Sequence, residues 1–306
     1  MFGRDMAVIA IVAALLLEQW HPLVDRKAWL ALLSNCASWL ESSFNAGESR
    51  HGTIAWLIAV LPPVLVAIAL HNFLDWVNPF LALAFNVAAL YLTLGFRQFS
   101  HYFTDLQAAI REGDLERARD AIAAWRGEPA THRSREEVIR LAIEEALTAS
   151  HRHVFGVLFW FVLLPGPGGA ILYRLAMFLR NRWARLGAFG RTAEQVYTVL
   201  EWPAARLTAA AFAVVGDFED AAYCWRTQAR AWPDRQMGVV LAAGAGAMGV
   251  RLGMPLNEPG GVEARPDLGV GELADSPFLD STVGLLWRAL VLWVFILIVL
   301  GAARVL

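Results

Sequence analysis

Eighteen consecutive residues, Thr53–Leu70, carry no charged side chain, and the apolar stretch continues through His71 to Trp76 with Asp75 as its one charge. Nothing else in the chain constrains its fold as hard. Hydrocarbon offers the backbone no hydrogen-bond partner, so an apolar run of this length crosses a bilayer as a helix. Val77–Phe96 adds twenty uncharged residues. Gly284–Ala303 adds a further span, interrupted by Arg288 close enough to its start to snorkel. Met6–Trp20 is shorter, yet Asp5 and Glu18 bracket twelve uninterrupted apolar residues. No small-x-small cleavage site follows it, so a retained helix is expected rather than a signal peptide.

Val154–Leu179 differs, because its centre reads Pro165-Gly166-Pro167-Gly168-Gly169, five helix-disfavouring residues in a row. Straight passage through lipid would strand backbone groups there. A re-entrant hairpin, or a pair of half-helices shielded by protein, avoids that cost. Nine arginines lie between Arg97 and Arg152, and Arg174, Arg180, Arg182, Arg185 and Arg191 accompany or follow the Pro-Gly segment. Placing both arginine-rich sides in the cytoplasm predicts four full spans with both chain ends outside.

Between these blocks the pattern is soluble. Leu106, Ile110, Leu115, Ala118 and Ile122 recur at near-helical spacing, closed by Glu128-Pro129. Ser134 precedes Glu137 by three residues, a capping box opening a helix from Arg135 to about Ala149. Asp217–Trp232 reads as another helix, and Pro255–Pro277, with four prolines and four glycines, as a long loop. The expected architecture is all-α: one polytopic membrane domain over 1–306. It divides into three N-terminal spans (1–96), cytoplasmic helices (97–153), the re-entrant segment with further cytoplasmic or interfacial helices (154–283), and a C-terminal span (284–306).

Composition narrows the function. Hydrophobic residues reach 57% and mean hydropathy +0.45, which excludes disorder, while a net charge of −2 argues against nucleic acid as a partner. The lipid bilayer is the expected partner, with another protein or a second copy of the chain as further candidates. Cys36 and Cys224 are too few for a disulfide framework. Lys27 is the single lysine among 26 basic residues, so any phosphate-binding or nucleophilic lysine is Lys27.

Gly244, Gly246 and Gly249 spell G-x-G-x-x-G, but no preceding strand or crossover unit surrounds them, and close helix packing explains them better. No Walker A sequence and no H-E-x-x-H is present. His151 and His153, at i and i+2 on a helix, face different ways and read as an interfacial boundary, as does His21-Pro22. His71 and Asn86 lie within apolar spans, where helix-end snorkelling and interhelical hydrogen bonds are their ordinary uses. Arg206, abutting the apolar run Leu207–Val215, suits either a two-pronged phosphate grip or a headgroup anchor.

The order of segments resembles the CobD/CbiB superfamily of membrane proteins, including its AmpE-like branch, over nearly the full length. The residues that carry this are Leu15-Leu16-Leu17-Glu18 with His21-Pro22, and Arg140-Leu-Ala-Ile-Glu144 leading to Leu158-Phe159-Trp160. Further on come Gly168-Gly169-Ala170 with Tyr173-Arg174, Trp202 with Ala205-Arg206-Leu207-Thr208, and Gly246-Ala-Met-Gly249-Val-Arg251-Leu-Gly253. For CobD/CbiB the resemblance implies synthesis of adenosylcobinamide phosphate. In that reaction aminopropanol phosphate is joined to adenosylcobyric acid in an amide bond, with ATP activating the carboxyl. Carboxylates for magnesium and cations for phosphates are then required.

Aligned on the family pattern, this chain has lost acids. The family's Glu-Asn pair falls on Thr148-Ala149 and the following Asp on Arg152. Its Asn-Thr-x-Asp falls on Met177–Arg180, the paired aspartates before Trp202 on Tyr197-Thr198, and an asparagine on Glu201. The expected Arg-Asp-Thr near Glu128–Ala130 is absent. Val199-Leu-Glu-Trp202, Arg206-Leu207 and the stretch Gly216 to Trp225 are similar to AmpE.

The reading that follows is an inner-membrane protein without metal or cofactor, acting as a ligand- or partner-binding signalling modulator. Ligand contacts are expected at His21, His151, His153, Gly168, Gly169, Arg174, Arg206 and Arg251. The alternative is a divergent synthase using Mg–ATP and a corrinoid, with Glu144, Tyr173 and Arg206 as its catalytic candidates.

Overall fold

The computed structural model describes residues 5–20, 27–45, 47–258 and 261–302. Along the chain run α1 (Asp5–Trp20), α2 (Lys27–Phe44), α3 (Ser49–Val77), α4 (Pro79–Thr93), α5 (Phe96–Glu112) and α6 (Leu115–Arg126). There follow α7 (Arg135–Ser150), α8 (Gly156–Leu163), α9 (Gly168–Trp183), α10 (Arg191–Val215), α11 (Phe218–Thr227), α12 (Arg235–Met248) and α13 (Ser276–Ala302). A π-helical turn, His151–Phe155, joins α7 to α8. Between α12 and α13 lie the short strands β1 (Val250–Gly253), β2 (Leu256–Glu258), β3 (Gly261–Glu263), β4 (Asp267–Leu268) and β5 (Glu272–Leu273). The chain packs as two compact units: residues 1–94, 156–203 and 298–306, and residues 95–155 and 204–297.

The all-α polytopic architecture holds. Among the described residues four helices are long and apolar enough to cross a membrane: Ser49–Val77, Arg135–Leu163, Arg191–Val215 and Ser276–Leu300. One of them contains the expected span Thr53–Leu70, and another holds the described residues of the expected span at Gly284 as far as Leu300. They bury only 28% and 22% of their apolar windows, leaving Leu61, Leu65, Val66, Val291, Phe295 and Val299 exposed. Apolar surface of that extent is covered by lipid or by another protein, not by water. The other two bury 61% and 50%, and their charges had hidden them from a search for uncharged runs.

The remaining two expected spans are corrected. Val77–Phe96 is not one helix. Asn78 ends α3, and its side chain accepts from the Phe80 N–H at 2.8 Å, with Pro79 opening α4. The fifteen residues of α4 span about 22 Å, short of a hydrocarbon core of about 30 Å. α1, of sixteen residues, is likewise short, and it packs against α4.

In the first unit the Pro-Gly segment turns the chain between α8 and α9, which pair as two half-helices. Gly169 allows the close approach, since a Cβ there would sit 1.8 Å from the Trp160 carbonyl oxygen. α9 and α4 both pack on α3.

In the second unit the single helix expected over Leu106–Ile122 is two. Gly113 takes a left-handed conformation at the end of α5, and the Asp114 side chain accepts from the Arg117 N–H at 3.0 Å to begin α6. The Ser134–Glu137 capping box is present, with both reciprocal bonds. The Asp217–Trp232 helix stops at Thr227 and resumes as a 3-10 turn over Ala229–Ala231. α12 is buried on nearly every side, between α11 and α7, and its glycines serve that packing. A Cβ on Gly244 would meet Leu147 at 2.9 Å, one on Gly246 the Asp220 carbonyl oxygen at 2.5 Å. Gly249 is the left-handed cap. The Pro255–Pro277 loop is also corrected. β1 pairs antiparallel with β4 and parallel with β5, while β2 and β3 form a ribbon. Strands of two to four residues are too short to show alternation.

Candidate functional site

Three charged residues of α7, Glu137, Arg140 and Glu144, are buried, and each one fastens the strand segment. Arg140, 2% exposed, donates to the Pro255 carbonyl at 2.9 Å. Glu137 accepts from the Asn257 N–H at 2.7 Å and from the Ser134 N–H at 2.6 Å. Glu144, 3% exposed, accepts from the Gly253 N–H at 2.8 Å and pairs through Oε2 with Arg265, whose guanidinium lies 4.9 Å over the Trp232 ring. A buried carboxylate is costly without such partners, and here each one has them.

Beside Glu144 opens a cavity of about 340 Å³ between α7, the start of α12 and the segment Leu256–Pro266. Its walls include Arg126, Glu145, Thr148, Arg152, Asp234 and Glu263. Arg152 pairs with Asp234 at 3.1 Å, and Asp234 also caps α12 by accepting from Gln236 and Met237. Arg126 stands 3.9 Å from Glu145. A second cavity, of about 600 Å³, lies on the other flank of α12 and is lined by Arg206, Trp225, Arg226, Ala229, Arg230, Arg235 and Val239.

The expected site residues do not converge. Glu144 and Arg206 line different cavities of the second unit. Tyr173 belongs to the first unit, fully buried, its hydroxyl 3.4 Å from that of Tyr197, which donates to Glu201 at 2.7 Å. Gly168 and Gly169 are packing positions, where an added Cβ would meet the Ile68 side chain and the Trp160 carbonyl. Arg174 lies half-buried on α9. The interfacial reading of His151 is corrected: it is fully buried, with Nδ1 3.0 Å from Thr208 Oγ1. His153 is half-buried, and its carbonyl accepts from the Gly95 N–H at 3.2 Å. Arg251 pairs with Asp267 at 3.0 Å. His21 lies outside the described residues. Among the described residues no three His, Cys, Asp or Glu side chains gather to hold a metal ion.

The CobD/Cbib protein family model matches residues 9–285. The chain belongs to the CobD/Cbib family. Cobalamin biosynthesis protein CobD of Stutzerimonas stutzeri is 33% identical to it over 300 residues, which is 95% of this chain and 96% of that protein. Cobalamin biosynthesis protein CobD of Chromobacterium violaceum is 34% identical over 288 residues, 90% of this chain and 88% of the relative. No solved structure matches the chain.

These CobD relatives overturn the reading as a signalling modulator, which rested on acids missing from single aligned positions. The fold explains the error. Thr148 and Arg152, where the family acids fall, line a cavity that Glu144, Glu145, Asp234 and Glu263 enter from other positions. Carboxylate supply is a property of the cavity, and sequence alignment tests only one contributor at a time.

Proposed function

We propose that this CobD/Cbib chain acts in cobalamin biosynthesis as an adenosylcobinamide-phosphate synthase. It would join aminopropanol phosphate to adenosylcobyric acid in an amide bond, with ATP activating the carboxyl. The observation that carries the reading is the likeness to two CobD proteins along nearly the whole of both chains. The cavity beside Glu144 supports it by its chemistry, because it combines carboxylates with guanidinium groups.

Magnesium enters such a reaction with ATP, as part of the substrate. An ion of this kind is held by one or two carboxylates together with phosphate oxygens and water, so a three-acid cluster is not required. Glu144 is engaged by Gly253 and Arg265, and Asp234 by α12 and Arg152. That leaves Glu145 and the exposed Glu263 as the carboxylates able to turn toward the ion. Arg126 and Arg152 would draw in phosphate oxygens. The cavity, at about 340 Å³, suits a small phosphate-bearing amine or a triphosphate tail. The corrinoid macrocycle would present only its reacting carboxyl. The proposed location is the bacterial inner membrane, with the arginine-rich segment Arg97–Arg152 on the cytoplasmic side.

Complementation tests the reading. A strain lacking its synthase and carrying this chain is expected to grow on cobyric acid as corrinoid source. Growth on cobinamide but not on cobyric acid, with the chain present in the membrane, would overturn it.

A further inference from the structure

We infer that the cavity lined by Arg206, Arg226, Arg230 and Arg235 is a binding site for a phosphate group carrying at least two negative charges, separate from the cavity beside Glu144. The inference deepens the synthase reading and rests on it for which phosphate arrives, but the site itself stands on the geometry.

Four guanidinium groups meet around about 600 Å³, and none of the lining residues is acidic. Elsewhere in the same unit, three solvent-facing arginines find carboxylates: Arg111 with Asp280 at 2.7 Å, Arg117 with Glu112 at 2.8 Å, and Arg135 with Asp275 at 2.8 Å. The side chains of Arg226, Arg230 and Arg235 make no hydrogen bond or ion pair with any described residue. Arg226, in the last turn of α11, and Arg230, in the 3-10 turn that follows, bring like charges to the same cavity, and like charges gathered without a partner repel. Among the described residues no carboxylate pairs with either side chain, whereas a bound anion would offset the repulsion.

The cavity also has a fixed wall. Arg206 is half-buried, and its Nη1 donates at 2.8 Å to Oε1 of Gln236, itself 8% exposed. A guanidinium oriented by a buried amide is preorganised for a two-pronged grip on oxygens. Trp225, half-buried, supplies a flat apolar side for whatever carries the phosphate. A soluble phosphate ester and a lipid phosphate share this chemistry, and the test separates them.

Inorganic pyrophosphate is titrated calorimetrically into the full chain in maltoside detergent, which brings no phosphate of its own. Binding is expected, weakening as salt is raised. In Arg226→Gln/Arg230→Gln it is expected to fall about a hundredfold, the loss of two charged hydrogen-bonding groups, with the melting temperature unchanged. Should the double variant melt lower, Arg230→Gln alone is read instead, with about a tenfold loss expected. Repeating the titration in phosphatidylglycerol nanodiscs identifies the source. Undiminished affinity marks a soluble ester as occupant, and competition by the lipid marks a headgroup. No binding in detergent, or equal binding by wild type and variant, overturns the site. If pyrophosphate binds but complementation fails, the synthase reading falls and the site remains.

Discussion

The two cavities flanking α12 are both lined by arginines and treat charge in opposite ways. Beside Glu144, the buried charges are engaged: α7 carboxylates and Arg140 hold the backbone of Gly253, Pro255 and Asn257, and Arg265 closes on Glu144. On the other flank, Arg226, Arg230 and Arg235 face open space without a carboxylate among the lining residues. A charged residue's type therefore says little about its role. Whether the fold already supplies its partner says much more, because a buried and paired charge is part of the scaffold, while a gathered and unpaired one waits for a ligand.

The difference can be broken by mutation. Glu144→Ala strikes the engaged side and leaves Arg265 and the Gly253 N–H without their acceptor, 4% and 11% being the exposures of the paired Glu144 and Arg265 side chains. It is expected to cost about 3–5 kcal/mol of stability, measured by denaturant unfolding in detergent. Asp234→Ala removes the cap of α12 and the partner of Arg152, and about 1–2 kcal/mol is expected by the same measurement. Arg230→Gln on the unpaired side is expected to stay within about 0.5 kcal/mol of wild type. A loss as large as that of Glu144→Ala would erase the distinction between the cavities.

The smallest effect sharpens the boundary between the two classes. Asp275 is paired yet exposed. The Ser276 N–H at 2.6 Å, with Arg135 beside it, holds its carboxyl below the usual aspartate range. A depressed folded-state pKa contributes stability above the unfolded value, and that contribution fades as pH falls through and below about 4. Melting curves from neutral to acid pH are expected to separate wild type from Asp275→Asn slightly at neutral pH and to converge in acid. Screening at an exposed site keeps the separation small. Burial pushes the Cys224 thiol up to about 11, so maleimide is expected to label it only after unfolding, which reports whether a variant has kept the wall beside Trp225.

Much of the fold was legible where a local rule decides it. Ser134 and Glu137 announced the start of α7, and the Pro165–Gly169 run announced the turn between half-helices. Gly113-Asp114 carried the same kind of signal, a left-handed cap followed by a capping acid, but the hydrophobic spacing of Leu106–Ile122 ran through it and hid the break. The spans at Arg135–Leu163 and Arg191–Val215 were obscured for a different reason. Charges of the first find partners such as Arg265 and Asp234, and in the second Glu201 accepts from Tyr197 and Arg206 donates to Gln236, none of which an apolar count includes. The site was least legible. Arg206 stood out alone, whereas Arg226, Arg230 and Arg235 become one feature only when α10, α11 and α12 bring them together. Glu263 and Arg265 lay in what read as a featureless loop.

The central claim is that the unpaired arginines, and not the engaged carboxylates, form a working site of this CobD/Cbib protein. Growth on cobyric acid of the synthase-deficient strain carrying Arg226→Gln/Arg230→Gln, at wild-type abundance in the membrane, tests it most directly. The account expects a stable chain that no longer supports growth while the wild-type chain does. Growth matching wild type would contradict it.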